Sequence, residues 1–306
     1  MIKTYFKHVY EPVFHEVNSF KEGSWIHISE TTDEDIQDII SLTGLEKADL
    51  QDALDLFEIP RVEKHENAVI IFLRTPSSKI KGLHTEPLTI VMTHHNFITI
   101  TPRESFAVNS ILNASSNIAT TNFTRLLVEI LKKISFDYTR MIKNSRNIVL
   151  RQKKDMHYID DGDILVLIEN EEILNQYQSV LVPMKMVVEN IESGRFVVLS
   201  EDDHEVFQDV INTIRQLSDV CMVNLKSIRS LRDSYQIIFT NRLNRTIKFL
   251  TSFTIIMTIP TIVASIFGMN VELPFSNNPH AFFITMSIAF GILIVFLVLF
   301  YQKRWI

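Results

Sequence analysis

The chain has 306 residues, room for two ordinary domains or one domain plus a membrane part. It carries 30 Lys and Arg against 36 Asp and Glu, a net charge of −6, with 46% apolar and 22% charged residues, which excludes a disordered chain. The acidic balance argues against a nucleic-acid binder, which shows a basic face, and one cysteine excludes an internal disulfide framework or a cysteine-rich zinc site.

Mean hydropathy is +0.12, high for so charged a chain, and points to segregation. Residues 246–306 hold three Lys or Arg and one Asp or Glu, leaving 27 basic and 35 acidic residues in the first 245. The opening Met1-Ile2-Lys3-Thr4-Tyr5 lacks the apolar core of a secretory signal and the Arg-rich pattern of an organelle presequence.

Residues 1–117 read as a small cytoplasmic α/β domain. Trp25 to Ile28 is a short strand, and Thr32 with Asp35 three residues on forms a capping box for the next helix. Ala48 to Leu56 reads as a helix ended before Pro60, and Ala68–Arg74, Pro87–Thr93 and Phe97–Thr101 are β-rich runs separated by turn signals. Residues 118–245 read as a stalk of long helices. Phe123–Asp155 is one helix and Asp163–Ser193 a second, with Pro183 a candidate kink. Ser200 with Asp203 starts a third helix, and no Gly or Pro follows until Pro260. Its apolar residues, from Val206 and Val210 through Cys221 to Tyr235 and Ile238, alternate in threes and fours like a coiled-coil seam. Continued into the membrane, about 65 residues make a rod of roughly 100 Å.

Residues 246–306 read as a transmembrane hairpin. Spans at about 246–267 and 281–301 carry Lys248 as their only charge, and each matches the roughly 20 helical residues that cross a bilayer. Arg242, Arg245, Lys248, Lys303 and Arg304 flank the spans, while residues 268–280 have no Lys or Arg. The excess of positive charge puts both termini in the cytoplasm and the loop outside. With no targeting segment, a bacterial plasma membrane is the expected location.

Within the first span Thr251, Thr254, Thr258, Thr261, Ser265 and Gly268 recur in threes and fours, on an arc of about 100°. Extended backward, the line passes Ile247, Asn244, Thr240 and Asp233. Small and hydroxyl residues of this kind serve close helix packing, or they line a water-filled path. Two spans cannot enclose a path, so a conducting form is an oligomer.

The first span ends in Phe267-Gly268-Met269-Asn270. Here the chain resembles the CorA family of magnesium transporters, two-span proteins marked by Gly-Met-Asn at the end of the first of two C-terminal spans. Pro260-Thr261, Lys303-Arg304-Trp305-Ile306, Leu50-Gln51-Asp52-Ala53-Leu54 and Arg61-Val62-Glu63-Lys64-His65-Glu66-Asn67 also look like the family. The resemblance covers essentially the whole chain. It implies a homopentamer that carries magnesium inward, driven by membrane potential, without ATP and without enzymatic activity. It implies a filter of Gly268, Met269 and Asn270 and a path lined by Asn244, Ile247, Leu250, Thr251, Thr254, Thr258, Thr261 and Ser265. Leu250 and Ile247 fall at the family's hydrophobic constriction, and Asp233 at an acidic inner ring. Asp52 and Asp209 match the positions where intracellular magnesium bridges subunits and closes the family's pore. The resemblance thus implies magnesium that is both transported and regulatory.

One departure stands out. Where many members have Met-Pro-Glu-Leu after the motif, this chain has Val271-Glu272-Leu273-Pro274-Phe275, so Glu272 alone brings charge to the outer loop. Zinc, cobalt or nickel transport on the same architecture is the nearest rival, and a non-conducting, membrane-anchored metal sensor is a second. An enzyme fits poorly: His94-His95, His65-Glu66 and His84 read as isolated, and seven glycines supply no phosphate loop. Cys221 reads as a small core residue on the helix seam.

Overall fold

The computed structural model describes residues 1–80, 82–113, 118–154, 161–270 and 279–305. The chain divides into two compact units, Met1–Leu231 and Arg232–Ile306. The elements run β1 (Ile2–Phe6), β2 (His15–Val17), β3 (Trp25–Ser29), α1 (Asp33–Thr43), α2 (Lys47–Gln51), a 3-10 turn (Asp52–Leu54), β4 (Arg61–Lys64), β5 (Ala68–Ile80), β6 (Leu83–Thr93), β7 (Phe97–Thr101), α3 (Phe106–Leu112), α4 (Phe123–Lys154), α5 (Asp161–Glu192), α6 (Glu201–Phe267) and α7 (Ala281–Gln302).

In the first unit, seven strands form one sheet in the order β2-β1-β3-β7-β6-β5-β4. Only β3 and β7 run parallel, Ile26 opposite Ile98; the other pairs are antiparallel. The alternation of strand side chains makes two dry faces. One face, with Ile26, Ile28, Ile70, Phe72, Ile98 and Ile100, packs on Ile36 and Ile39 of α1 and on Leu50 of α2. The other face meets α4. Phe97 lies against Phe123 at 6.1 Å between ring centroids, and the Tyr138 hydroxyl donates to the Arg74 carbonyl at 3.2 Å.

Pro76 and Pro87 sit inside β5 and β6, where proline removes a ladder donor. Both lie past the reach of the flanking strands, since β4 pairs only with 69–72 of β5 and β7 only with 89–92 of β6. The expected helix over 48–56 is shorter, because the backbone tightens to a 3-10 turn at Asp52 and is extended at Asp55. The capping box at Thr32 forms: Asp35 N–H donates to the Thr32 hydroxyl and Thr32 N–H to the Asp35 carboxylate. Ser200 and Asp203 repeat it at the start of α6.

The seam of α6 is dry within a single chain. Val210, Ile214, Cys221, Ile228 and Tyr235 are buried. Over the part of α6 in this unit, the partner is α5, running antiparallel. Gln178 donates to Ser218, Cys221 Sγ to the Leu174 carbonyl, and Arg229 pairs with Glu171. Burial pushes the Cys221 thiol up to about 12, which suits an inert core residue. Pro183 is accommodated inside α5.

The second unit holds the rest of α6 and α7. Among the described residues two helices, α6 and α7, are long and apolar enough to cross a membrane, and only 11% and 6% of their most apolar stretches are buried. A core helix of a globular domain would show the reverse.

Candidate functional site

The membrane part of α6 has two unlike faces. Ser252 and Ile259 are buried, and Pro260, Val263 and Phe267 line a cavity of about 610 Å³ with Phe282, Thr285 and Ala289 of α7. Thr251, Thr254, Thr258, Thr261 and Ser265 are all exposed. At 100° per residue the hydroxyl stripe points about 160° away from the face that meets α7. The stripe is therefore not used to hold the hairpin together.

The hydroxyls are also oriented. Thr254 donates to the Leu250 carbonyl at 2.9 Å, Thr258 to Thr254 at 2.7 Å and Thr261 to Met257 at 3.3 Å. Each spends its one hydrogen on its own helix, so its oxygen lone pairs remain as acceptors on the open face. A row of neutral acceptors suits a hydrated cation. Ile247 and Leu250 are 51% and 61% exposed; Ile247 lies on the stripe and Leu250 at its edge. Asn244 and Asp233 are exposed on the same line nearer the stalk.

At the far end, Gly268 N–H reaches the Ala264 carbonyl at 2.9 Å and Met269 N–H the Ile266 carbonyl at 3.2 Å, closing the helix. Gly268 is not in the left-handed region. A Cβ there would lie 3.3 Å from the Ala264 oxygen and 3.5 Å from that of Ser265. Asn270 is exposed, and its side-chain amide is bound to no group among the described residues. Glu272 lies outside the described residues.

The two expected regulatory acids sit in different settings. Asp209 is exposed on α6. Asp52 opens the 3-10 turn and accepts from Arg61 Nη2 at 2.7 Å. Arg61 also binds Glu63 through Nε at 2.7 Å, pairs with Glu58, and lies 4.0 Å over the Phe72 ring. One guanidinium thus holds three carboxylates, and a cation at Asp52 must compete with it. The sequence pattern contained Arg61 but gave no link to Asp52, because eight residues of turn and loop separate them. No group of three or more His, Cys, Asp or Glu side chains is arranged to hold a metal among the described residues. His65 is not isolated as expected: it stands 3.7 Å from both Asp49 and Glu63, since β4 brings it beside α2. His95 contacts Glu22 on the surface at 2.8 Å.

The family model for CorA-like Mg²⁺ transporter proteins matches residues 20–304. The chain belongs to this CorA-like family. The cobalt/magnesium transport protein CorA of Methanocaldococcus jannaschii is 26% identical to it over 310 residues, 97% of this chain and 96% of that one. The corresponding protein of Thermotoga maritima is 20% identical, covering 94% and 85%. The complete structure of the M. jannaschii CorA magnesium transporter superposes with a TM-score of 0.84 at 22% identity, covering 100% of this chain and 99% of that one. The cytoplasmic domain of ZntB from Vibrio parahaemolyticus gives a TM-score of 0.65 at 11% identity, over 78% of this chain and 98% of that domain. These structural likenesses speak to fold: a mixed sheet, then a long helix running into a C-terminal apolar pair. The CorA-like family is one of magnesium and cobalt transporters, and this chain belongs with membrane transporters of divalent metal ions.

Proposed function

We propose that several copies of this chain, five by analogy with the family, form a path for magnesium across the plasma membrane, with both termini cytoplasmic. The observation that carries this reading is the hydroxyl stripe: exposed, turned away from α7, and left with acceptor lone pairs by its own hydrogen bonding. Magnesium sheds water reluctantly and prefers octahedral oxygen, so neutral acceptors guide it with its shell in place. Asn270 from each copy forms the outer ring, and its amide oxygen holds a hydrated ion without trapping it as a carboxylate would. Asp233 gathers cations at the inner mouth, and Ile247 with Leu250 form the constriction. Potential alone drives entry: about 2.3 kcal/mol per charge per 100 mV, doubled for a divalent ion. Magnesium bound between Asp52 of one copy and Asp209 of the next holds the path closed.

Cobalt is a second cargo, favoured by the name of the M. jannaschii relative. The test is magnesium uptake into liposomes carrying an entrapped dye, wild type against Asn270→Ala, with cobalt, nickel and zinc in parallel. Magnesium uptake that collapses in the variant is the expected result. Zinc uptake without magnesium uptake would overturn the cargo, and no flux of any metal from an oligomer with chelated lumen would favour the sensor.

A further inference from the structure

At the basic end of the hairpin, α6 and the segment after α7 enclose a crevice of about 680 Å³ lined by Asn244, Arg245, Lys248, Phe249, Arg304 and Trp305. Three of these side chains are cations. Asp233 is the one carboxylate of this unit among the described residues, and it lies twelve residues before Arg245 on the helix. No ion pair engages Arg245, Lys248 or Arg304 among the described residues. On the helix wheel Lys248 and Arg245 stand about 100° and 160° from the centre of the hydroxyl stripe, toward α7. They are therefore placed away from a cation path, and their charge calls for another partner.

The C-terminus is built to complete this crevice. Trp305 N–H bonds back to the Phe300 carbonyl at 2.9 Å and Arg304 N–H to that of Tyr301 at 3.1 Å, the paired bonds of a helix-ending turn. The indole stacks on Phe300 at 5.7 Å between ring centroids, with 7° between the planes. Such a turn needs a left-handed residue, normally glycine, yet Arg304 occupies it at φ 54°. A non-glycine residue in that region is uncommon. Arginine there gives up local ease and sets a guanidinium at the crevice beside an interfacial tryptophan.

We propose that this crevice binds the headgroup of an anionic phospholipid of the inner leaflet. Its cations meet the phosphate, and Phe249 and Trp305 lie along the upper acyl chain. Basic pockets between transmembrane helices on the cytoplasmic side take such headgroups, and tryptophan prefers the interface. The inference rests on the reading that the hairpin spans a membrane with this end inside.

The full-length protein, reconstituted in phosphatidylcholine vesicles, reports on the site through Trp305. A Trp305→Phe variant supplies the background from Trp25, the chain's other tryptophan, which is buried in β3. Quenching is compared between phosphatidylglycerol and phosphatidylcholine brominated near the carbonyl end of their chains, at equal mole fraction. Each interfacial cation is worth about a fivefold change in affinity for anionic lipid. Wild type should therefore favour the anionic quencher severalfold, and Arg304→Gly and Lys248→Gln should each lower the preference about fivefold. The glycine variant suits the left-handed turn, so it keeps the fold while losing the charge. Equal quenching by both lipids, with magnesium uptake intact, overturns the lipid site alone. No quenching by either overturns the membrane reading and this one with it. A preference removed by inorganic phosphate at matched ionic strength assigns the crevice to a soluble anion and overturns the lipid.

Discussion

Replacing Arg61 by Gln should make magnesium a stronger inhibitor of its own uptake. In the structure Arg61 Nη2 is 2.7 Å from Asp52, with 33% and 49% of the two side chains exposed. A pair this exposed is worth about 0.2–1 kcal/mol, or about 1.4- to fivefold in a binding constant. A divalent cation reaching Asp52 must displace the guanidinium, so that amount is subtracted from its affinity in the native protein. Without Arg61 the internal magnesium that halves uptake should fall by about 1.4- to fivefold. The variant also frees Glu58, whose side chain is 13% exposed, so thermal melting must accompany the assay. The measurement is uptake into vesicles against graded magnesium on the cytoplasmic face, for wild type, Arg61→Gln and Asp52→Asn. Asp52→Asn should abolish the response. An unchanged or raised half-point in Arg61→Gln, with the fold intact, would refute competition between Arg61 and the metal.

Thr258→Val keeps the side chain's shape and removes an acceptor from every copy at once; at about 0.5–1.5 kcal/mol per lost hydrogen bond, uptake should fall at least tenfold, with Thr258→Ser near wild type. Gly268→Ala should shift Tm little, because the helical gain of about 0.5–1 kcal/mol offsets the crowding at 3.3 Å, yet it should reduce flux by moving Asn270; flux at the wild-type level would argue against a role for that close approach. His27 is 3% exposed, and burial pushes its pKa from 6.5 down to about 4. The unfolded chain therefore binds the extra proton first: stability is full above pH 6.5 and declines toward pH 4, by about 3 kcal/mol in all. Denaturant melts across that window should show this slope, and His27→Gln should flatten it.

The C-terminal hairpin is legible in one dimension, because a bilayer imposes rules that a sequence displays directly. Charge-free runs mark α7 and the end of α6, and helical spacing alone groups Thr251 through Ser265 on one face. The capping boxes at Thr32 and Ser200 are equally local, each closed within four residues, and so are readable without a fold. The seam of α6 was legible as a pattern, but its partner was not: only packing shows that α5 covers it, through contacts such as Cys221 with Leu174. Strands β1, β2 and β4 and helix α3 left too short a pattern to be read.

What tertiary structure decided is direction and pairing. It turned the hydroxyl stripe away from α7, which no spacing rule states. It joined Asp52 to Arg61 across a turn and a loop, since β4 must run beside β5 to cover its edge. It folded Trp305 onto Phe300 and set Arg304 in a glycine's place. Sequence fixes which side chains share a face of one helix, because 100° per residue is a property of the helix itself. Which face meets a neighbour depends on contacts between residues far apart in the chain, and those exist only after it has packed.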